Sequence, residues 1–153
     1  MVTLTAEYAL RAIVCLARAG AGRTVLARDL AVEARIPPHY LAKVLATLTR
    51  VRLLVGTRGT HGGYRLQRPA HLIRLIEVVE PFDRRETRTM CLLRPDQECN
   101  DFDPCTAHAA WKKVRQSLDE FLENRTVADL AGLPSLDPVD AAIGSTLPWP
   151  RER

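Results

Sequence analysis

The chain has 153 residues, 46% of them hydrophobic and 26% charged, with a net charge of +4. That length holds one domain with a real core plus an extension, and the apolar share excludes disorder along the whole chain. No run approaches the roughly eighteen uninterrupted apolar residues of a membrane helix. Glu7, Arg11 and Arg18 interrupt the N-terminal apolar positions, so the start does not read as a signal peptide and a cytoplasmic chain is expected. Reduced thiols in that compartment make clustered cysteines metal ligands first and disulfides second. Charge is unevenly spread: residues 1–75 carry twelve Lys/Arg against three Asp/Glu, and residues 76–153 carry ten against fifteen. A basic first half fits a polyanionic partner, although charge alone fits a merely solvated surface equally well.

A first helix is expected over 5–19, with Leu10, Ile13, Val14 and Ala17 facing inward, Thr5 near its start and Gly20 to Gly22 ending it. Cys15 reads as part of its packing. A second helix over 25–34 turns Leu26, Leu30 and Ala31 inward. Pro37-Pro38 then starts a third, since proline suits a first helical turn and cannot extend the previous helix. Leu41, Val44, Leu45, Leu48 and Val51 follow the helical period, and His39, Lys43, Thr47 and Arg50 occupy the opposite face. Two short helices joined by a tight turn match a helix-turn-helix, whose second helix enters the major groove.

Strands are expected at 53–58 and 62–66, joined by Gly59-Thr60-His61-Gly62-Gly63. A hairpin after a helix-turn-helix is a wing, in which glycines allow close approach to DNA and Arg58 and Arg65 supply charge. The candidate DNA contacts are Arg28, Pro38, His39, Tyr40, Lys43, Arg58, His61, Gly62 and Gly63. His71 reads as a cap or surface residue of a further helix over 71–80 (Leu72, Leu75, Ile76, Val79), stopped by Pro81. Helical period returns from Thr106 with Ala107, Trp111, Val114, Leu118, Phe121 and Leu122, a narrow stripe suited to packing on the winged domain or pairing with a second subunit. A short helix is expected at 126–131 and a mobile tail from Leu133.

Cys91, Cys99, Cys105 and His108 crowd the polar segment between these helices, and the chain has only one other cysteine. Thiolates with an imidazole hold soft metal centres, iron–sulfur clusters or zinc. Structural zinc usually takes a C-x₂₋₄-C pair, which is missing here, so a cluster is the first expectation, ahead of zinc and of metal-free thiol sensing. His108 lies one helical turn after Cys105, on the same face.

Ala6-Glu7-Tyr8-Ala9-Leu10-Arg11, Ile36-Pro37-Pro38-His39-Tyr40-Leu41, Arg58-Gly59-Thr60-His61-Gly62-Gly63-Tyr64 and the three cysteines, in that order, resemble a family of winged-helix regulators. It includes the iron–sulfur-assembly repressor IscR, the nitric-oxide sensor NsrR and the rhizobial iron regulator. The resemblance covers nearly the whole chain before the tail. It implies a homodimer held by the long helix, binding a pseudo-palindromic double-stranded DNA operator, most simply as a repressor. Cys105-Thr106-Ala107-His108 looks like the assembly repressor, which implies a 2Fe–2S cluster on three cysteines and His108. The seven residues between Cys91 and Cys99 resemble instead the longer gap of the rhizobial regulator and its 4Fe–4S cluster. Glu7 aligns with the acidic ligand that the nitric-oxide sensor supplies from the partner subunit. The fourth ligand is thus His108 or Glu7, with His108 and 2Fe–2S preferred. Ala42 stands where the assembly repressor carries an acidic residue that tunes operator choice, which puts that protein's site preference in doubt here.

The expected fold is mainly α. A winged helix-turn-helix domain spans 1–81, a cluster-binding loop 82–108, a dimerisation helix and short terminal helix 106–132, and a tail 133–153. The expected function is a DNA-binding regulator controlled by an iron–sulfur cluster. A regulator with structural zinc, and an electron-transfer or assembly partner that never touches DNA, are the alternatives. With no phosphate-cradling loop and no nucleophile–base pair, an enzyme is not expected.

Overall fold

Thr3, not Thr5, opens the first helix. Its hydroxyl accepts the Ala6 amide, and helix α1 (Leu4–Ala19) runs on until Gly20, at φ 105°, ends it. The structure is a computed structural model that describes residues 2–59, 62–83, 90–94 and 96–133. The innermost face of α1 is offset from the expected stripe. Ala6, Ala9, Ala12, Ile13 and Leu16 are the most enclosed, while Leu10 and Val14 are half-buried. Alanines at this spacing let the backbones of neighbouring helices come close, so the shortest side chains form the centre of the contact. Cys15 is buried as expected.

Helix α2 (Ala27–Glu33) is shorter than expected, because Val25 is drawn into a β-bridge with Tyr64 of the wing. It ends in a Schellman motif: Ile36 N–H donates to Ala31 O at 3.0 Å and Arg35 N–H to Val32 O at 3.1 Å, with Arg35 at φ 52°. Helix α3 (Pro38–Arg50) buries Leu41, Val44, Leu45 and Leu48. Val51, whose spacing places it inside with them, is instead the C-cap and lies 40% exposed. The same motif closes α3, with Arg52 at φ 60° and Leu53 N–H on Leu48 O at 3.0 Å. Strands β1 (Leu54–Thr57) and β2 (Gly63–Leu66) pair antiparallel, Leu54 opposite Leu66 and Thr57 opposite Gly63.

The helix expected over 71–80 is two pieces. A 3₁₀ turn covers Ala70–Leu72 and helix α4 covers Leu75–Val79. Arg74 between them bridges Thr126, while Leu75 N–H donates to Arg125 O at 2.9 Å and Val127 N–H to Ile73 O at 2.8 Å. These long-range bonds hold the chain extended where helical period alone runs through, and they leave Leu72 54% exposed. His71 sits inside the 3₁₀ turn, half-buried.

Helix α5 (His108–Asn124) follows the cysteine loop, and α6 (Val127–Ala131) is capped by Thr126 and Asp129 in a reciprocal box. Helix α6 packs on α1, where Arg18 Nε donates to Ala131 O at 3.2 Å. Buried Asp83 accepts the Thr3 amide at 3.2 Å, holding the end of the winged domain to the start of α1. One core therefore joins α1, the helix-turn-helix, α4 and α6. The expected tail lies outside the described residues beyond Leu133.

Candidate nucleic-acid interface and thiolate site

Helix α3 presents an exposed edge with Pro38 at its first turn and His39, Tyr40 and Lys43 following. Tyr40 lies against His39 in a tilted contact, 4.1 Å between ring centroids, and meets Tyr8 of α1 at 5.8 Å. The Arg11 guanidinium lies 5.5 Å from the Tyr8 ring centre and donates to the carbonyls of Ala34 and Arg35. Arg11 thus fills the open carbonyls at the end of α2 and fixes the turn that aims α3. Neither this clamp nor the Tyr8 contact was among the candidate sites, although both residues fall in a quoted motif.

Arg58 and Lys43 are exposed and have no ion-pair partner among the described residues, whereas Arg28 pairs with Asp29 at 3.3 Å on the surface. Gly62 and Gly63 answer first to packing. A Cβ on Gly62 would stand 2.5 Å from Thr57 O, and one on Gly63 would stand 2.3 Å from Val25 O. His61 lies outside the described residues. The winged half therefore offers an exposed helix edge and a basic hairpin side by side, the arrangement that reads DNA.

The thiolate loop is built by its own turns. Met90 bridges Glu98 and Cys91 N–H donates to Gln97 O at 2.9 Å, which closes the first turn. Asn100 Oδ1 then accepts the amides of Phe102 at 3.0 Å and Asp103 at 2.9 Å, returning the chain to Cys105. An ion pair between Arg94 and Asp103 ties the two turns together, and Trp111 Nε1 donates to Met90 O at 3.4 Å from α5.

Within that loop the four expected donors come together, with Cys99 also interacting with Cys91 and Cys105. Cys91 Sγ lies 3.5 Å from Cys105 Sγ, and Cys99 Sγ lies 3.1 Å from His108 Nδ1. The Leu93 amide, helped by Cys105 and Arg94, draws the Cys91 thiol below its ordinary range against the effect of burial. Desolvation pushes the Cys99 thiol up, with Arg115 opposing. Among the described residues no three His, Cys, Asp or Glu side chains converge on a single-ion site. Glu7 sits apart from these donors in this chain, exposed, lining a cavity of about 440 Å³ with Val2, Trp111, Val114, Arg115 and Leu118.

The family profile described as an iron-dependent transcriptional regulator, Rrf2, matches residues 2–132. The chain belongs to the Rrf2 family. This Rrf2 protein is 38% identical to a putative HTH-type transcriptional regulator of Mycobacterium tuberculosis over 128 residues, covering 83% of this chain and 78% of that one. It is 28% identical to the HTH-type transcriptional regulator IscR of Vibrio campbellii, covering 84% of this chain and 75% of that one. In fold it is similar to CymR, the global cysteine regulator of B. subtilis, with a TM-score of 0.69, 20% identity and coverage of 86% and 96%. T. potens IscR is similar too, with a TM-score of 0.65, 22% identity and coverage of 96% and 92%. The chain is therefore a winged-helix transcriptional regulator that binds DNA, as its wing and exposed α3 edge lead one to expect. No described helix is long and apolar enough to cross a membrane.

Proposed function

We propose that this Rrf2 protein is a dimeric repressor whose operator affinity is set by an iron–sulfur cluster on Cys91, Cys99, Cys105 and His108. The observation that carries this reading is the meeting of these four donors in one loop at the head of α5, Cys91 against Cys105, Cys99 against His108, and Cys99 within reach of Cys91. Three thiolates and an imidazole are also the donor set of such clusters rather than of hard cations. The cluster supplies a reducible, releasable centre whose presence reports iron, sulfide or redox state. Glu7 from the partner subunit is the alternative fourth ligand.

The dimer reading rests on α5. Val114 and Phe121 are 55% and 45% exposed, Trp111 and Leu118 are half-buried, and Leu122 alone is buried. Leu122 and Leu118 pack on the core, and the exposed edge at Val114 and Phe121 suits a second copy of the same helix. The loop's four donors stand at the start of this helix, so ordering the loop orders the end of the dimer seam. Tyr8, Tyr40 and Arg11 carry the arrangement from α1 to the reading helix, and with it the spacing of two half-sites about one DNA turn apart.

A second reading, metal-free thiol sensing, is favoured by the Cys91–Cys105 contact and the lowered Cys91 pKa. The test is a mobility shift on duplexes selected by the protein from a random pool. Protein loaded with iron and sulfide without oxygen is compared with metal-free reduced protein and with metal-free oxidised protein. Different affinities of loaded and metal-free reduced forms support the cluster reading. Equal affinities for these two, with a change only on oxidation, support the thiol reading and reject the cluster.

A further inference from the structure

His108 is held at both ring nitrogens. Nδ1 faces Cys99 Sγ at 3.1 Å, and Nε2 lies 2.8 Å from Asp101 Oδ1. Asp101 is itself fixed, because Lys112 Nζ, one turn further along α5, stands 2.9 Å from both of its carboxylate oxygens. The imidazole is 11% exposed at its side chain while Asp101 is 71% exposed, so the carboxylate reaches in from the loop surface to a ring that has left water. A carboxylate only accepts hydrogen bonds when ionised, so the nitrogen facing it carries the proton. In the neutral imidazole the other nitrogen then presents its lone pair towards Cys99.

We propose that Asp101, braced by Lys112, is a positioning residue that fixes the His108 tautomer with Nε2–H outward and Nδ1 as the ligating atom. The same bond pushes electron density onto the ring, makes Nδ1 a stronger donor, and favours the oxidised state of a centre bound to it. Asp101 and Lys112 have opposite effects on that centre: the carboxylate lowers its potential, and the ammonium, by partly neutralising the carboxylate, raises it.

The tautomer part is tested on full-length metal-free reduced protein carrying ¹⁵N-histidine, by long-range proton–nitrogen correlation of the His108 ring. The expected result is the Nε2–H tautomer in the natural sequence, a mixture in Asp101→Ala, and recovery in Asp101→Asn, whose amide oxygen still accepts. The same tautomer ratio in Asp101→Ala as in the natural sequence overturns the proposal. The ligation part rests on the cluster reading above and uses protein reconstituted with ferrous iron and sulfide without oxygen. Asp101→Ala is expected to hold the cluster about tenfold to a hundredfold more weakly against a chelator. Its midpoint potential rises, and that of Lys112→Gln falls. Equal retention and equal potentials in all three proteins overturn it. If the natural sequence takes up no iron and sulfide, the cluster reading fails and the tautomer measurement alone decides the role of Asp101.

Discussion

Gly63 shows how one residue holds the wing to the winged domain. Its φ is 142°, and a Cβ there would stand only 2.3 Å from Val25 O, so the site has room for hydrogen alone. The cause is that Tyr64 and Val25 exchange two backbone bonds beside it, at 2.8 and 2.9 Å. Gly63→Ala is expected to cost about 3 kcal/mol by forcing these backbones apart. Thermal unfolding measures it, and a melting temperature equal to the natural protein's would contradict the packing role. Glu77 acts at the same scale. Burial disfavours its carboxylate, but the Arg74 amide at 2.9 Å and the Arg68 guanidinium outweigh that and hold its pKa below the ordinary value. A lowered folded value stabilises the fold fully above the unfolded value, near about 4.3. That contribution is lost as pH falls through the folded value. The stability gap between the natural protein and Glu77→Gln should therefore be about 1 kcal/mol at neutral pH and close in acid; a gap constant across that range would refute the assignment.

At the scale of elements, the proposed function rests on the surfaces of α5 and the wing. Replacing Val114 by Glu puts a charge into the apolar stripe of α5, and dimer affinity should fall about a hundredfold. Sedimentation across a dilution series reads this, and an unchanged association constant would take α5 out of the seam. Arg58→Ala should weaken operator binding and lower the salt dependence of log K by about one unit of slope. An unchanged affinity would remove the hairpin from the DNA interface. The helices and the wing were legible because their signals are local: proline at the head of α3, the 3.6-residue period, and glycines around the hairpin. The ends of α2 and α3 were not, since Arg35 and Arg52 adopt positive φ where glycine would have signalled the turn. The break between the 3₁₀ turn and α4 was hidden too, because its cause is a bridge to Thr126, far along the chain. In the thiolate loop the ligand types and spacing stood out, while Asp101 was one acid in an acidic stretch. Only the fold brings it to His108 and Lys112.

For the whole molecule, the winged half and the end of the long helix share one core. Helix α1 packs against α3, α4 and α6, lines a cavity with α5 through Glu7, and meets the reading helix through Tyr8 and Tyr40. In the proposed mechanism, a change in the thiolate loop reaches the DNA-reading edge from α5 to α4, and from α4 through α1 to α3. The excess of Lys/Arg lies in residues 1–75, which hold the helix-turn-helix and the wing, and the excess of Asp/Glu in residues 76–153, which hold the thiolate loop. Everything in this mechanism depends on the loop holding a cluster. Counting iron and acid-labile sulfide in protein purified without oxygen, alongside its visible absorption, tests that most directly. About two irons and two sulfides per subunit are expected, as a two-iron cluster requires. Zinc without sulfide, or no metal after reconstitution, would contradict it.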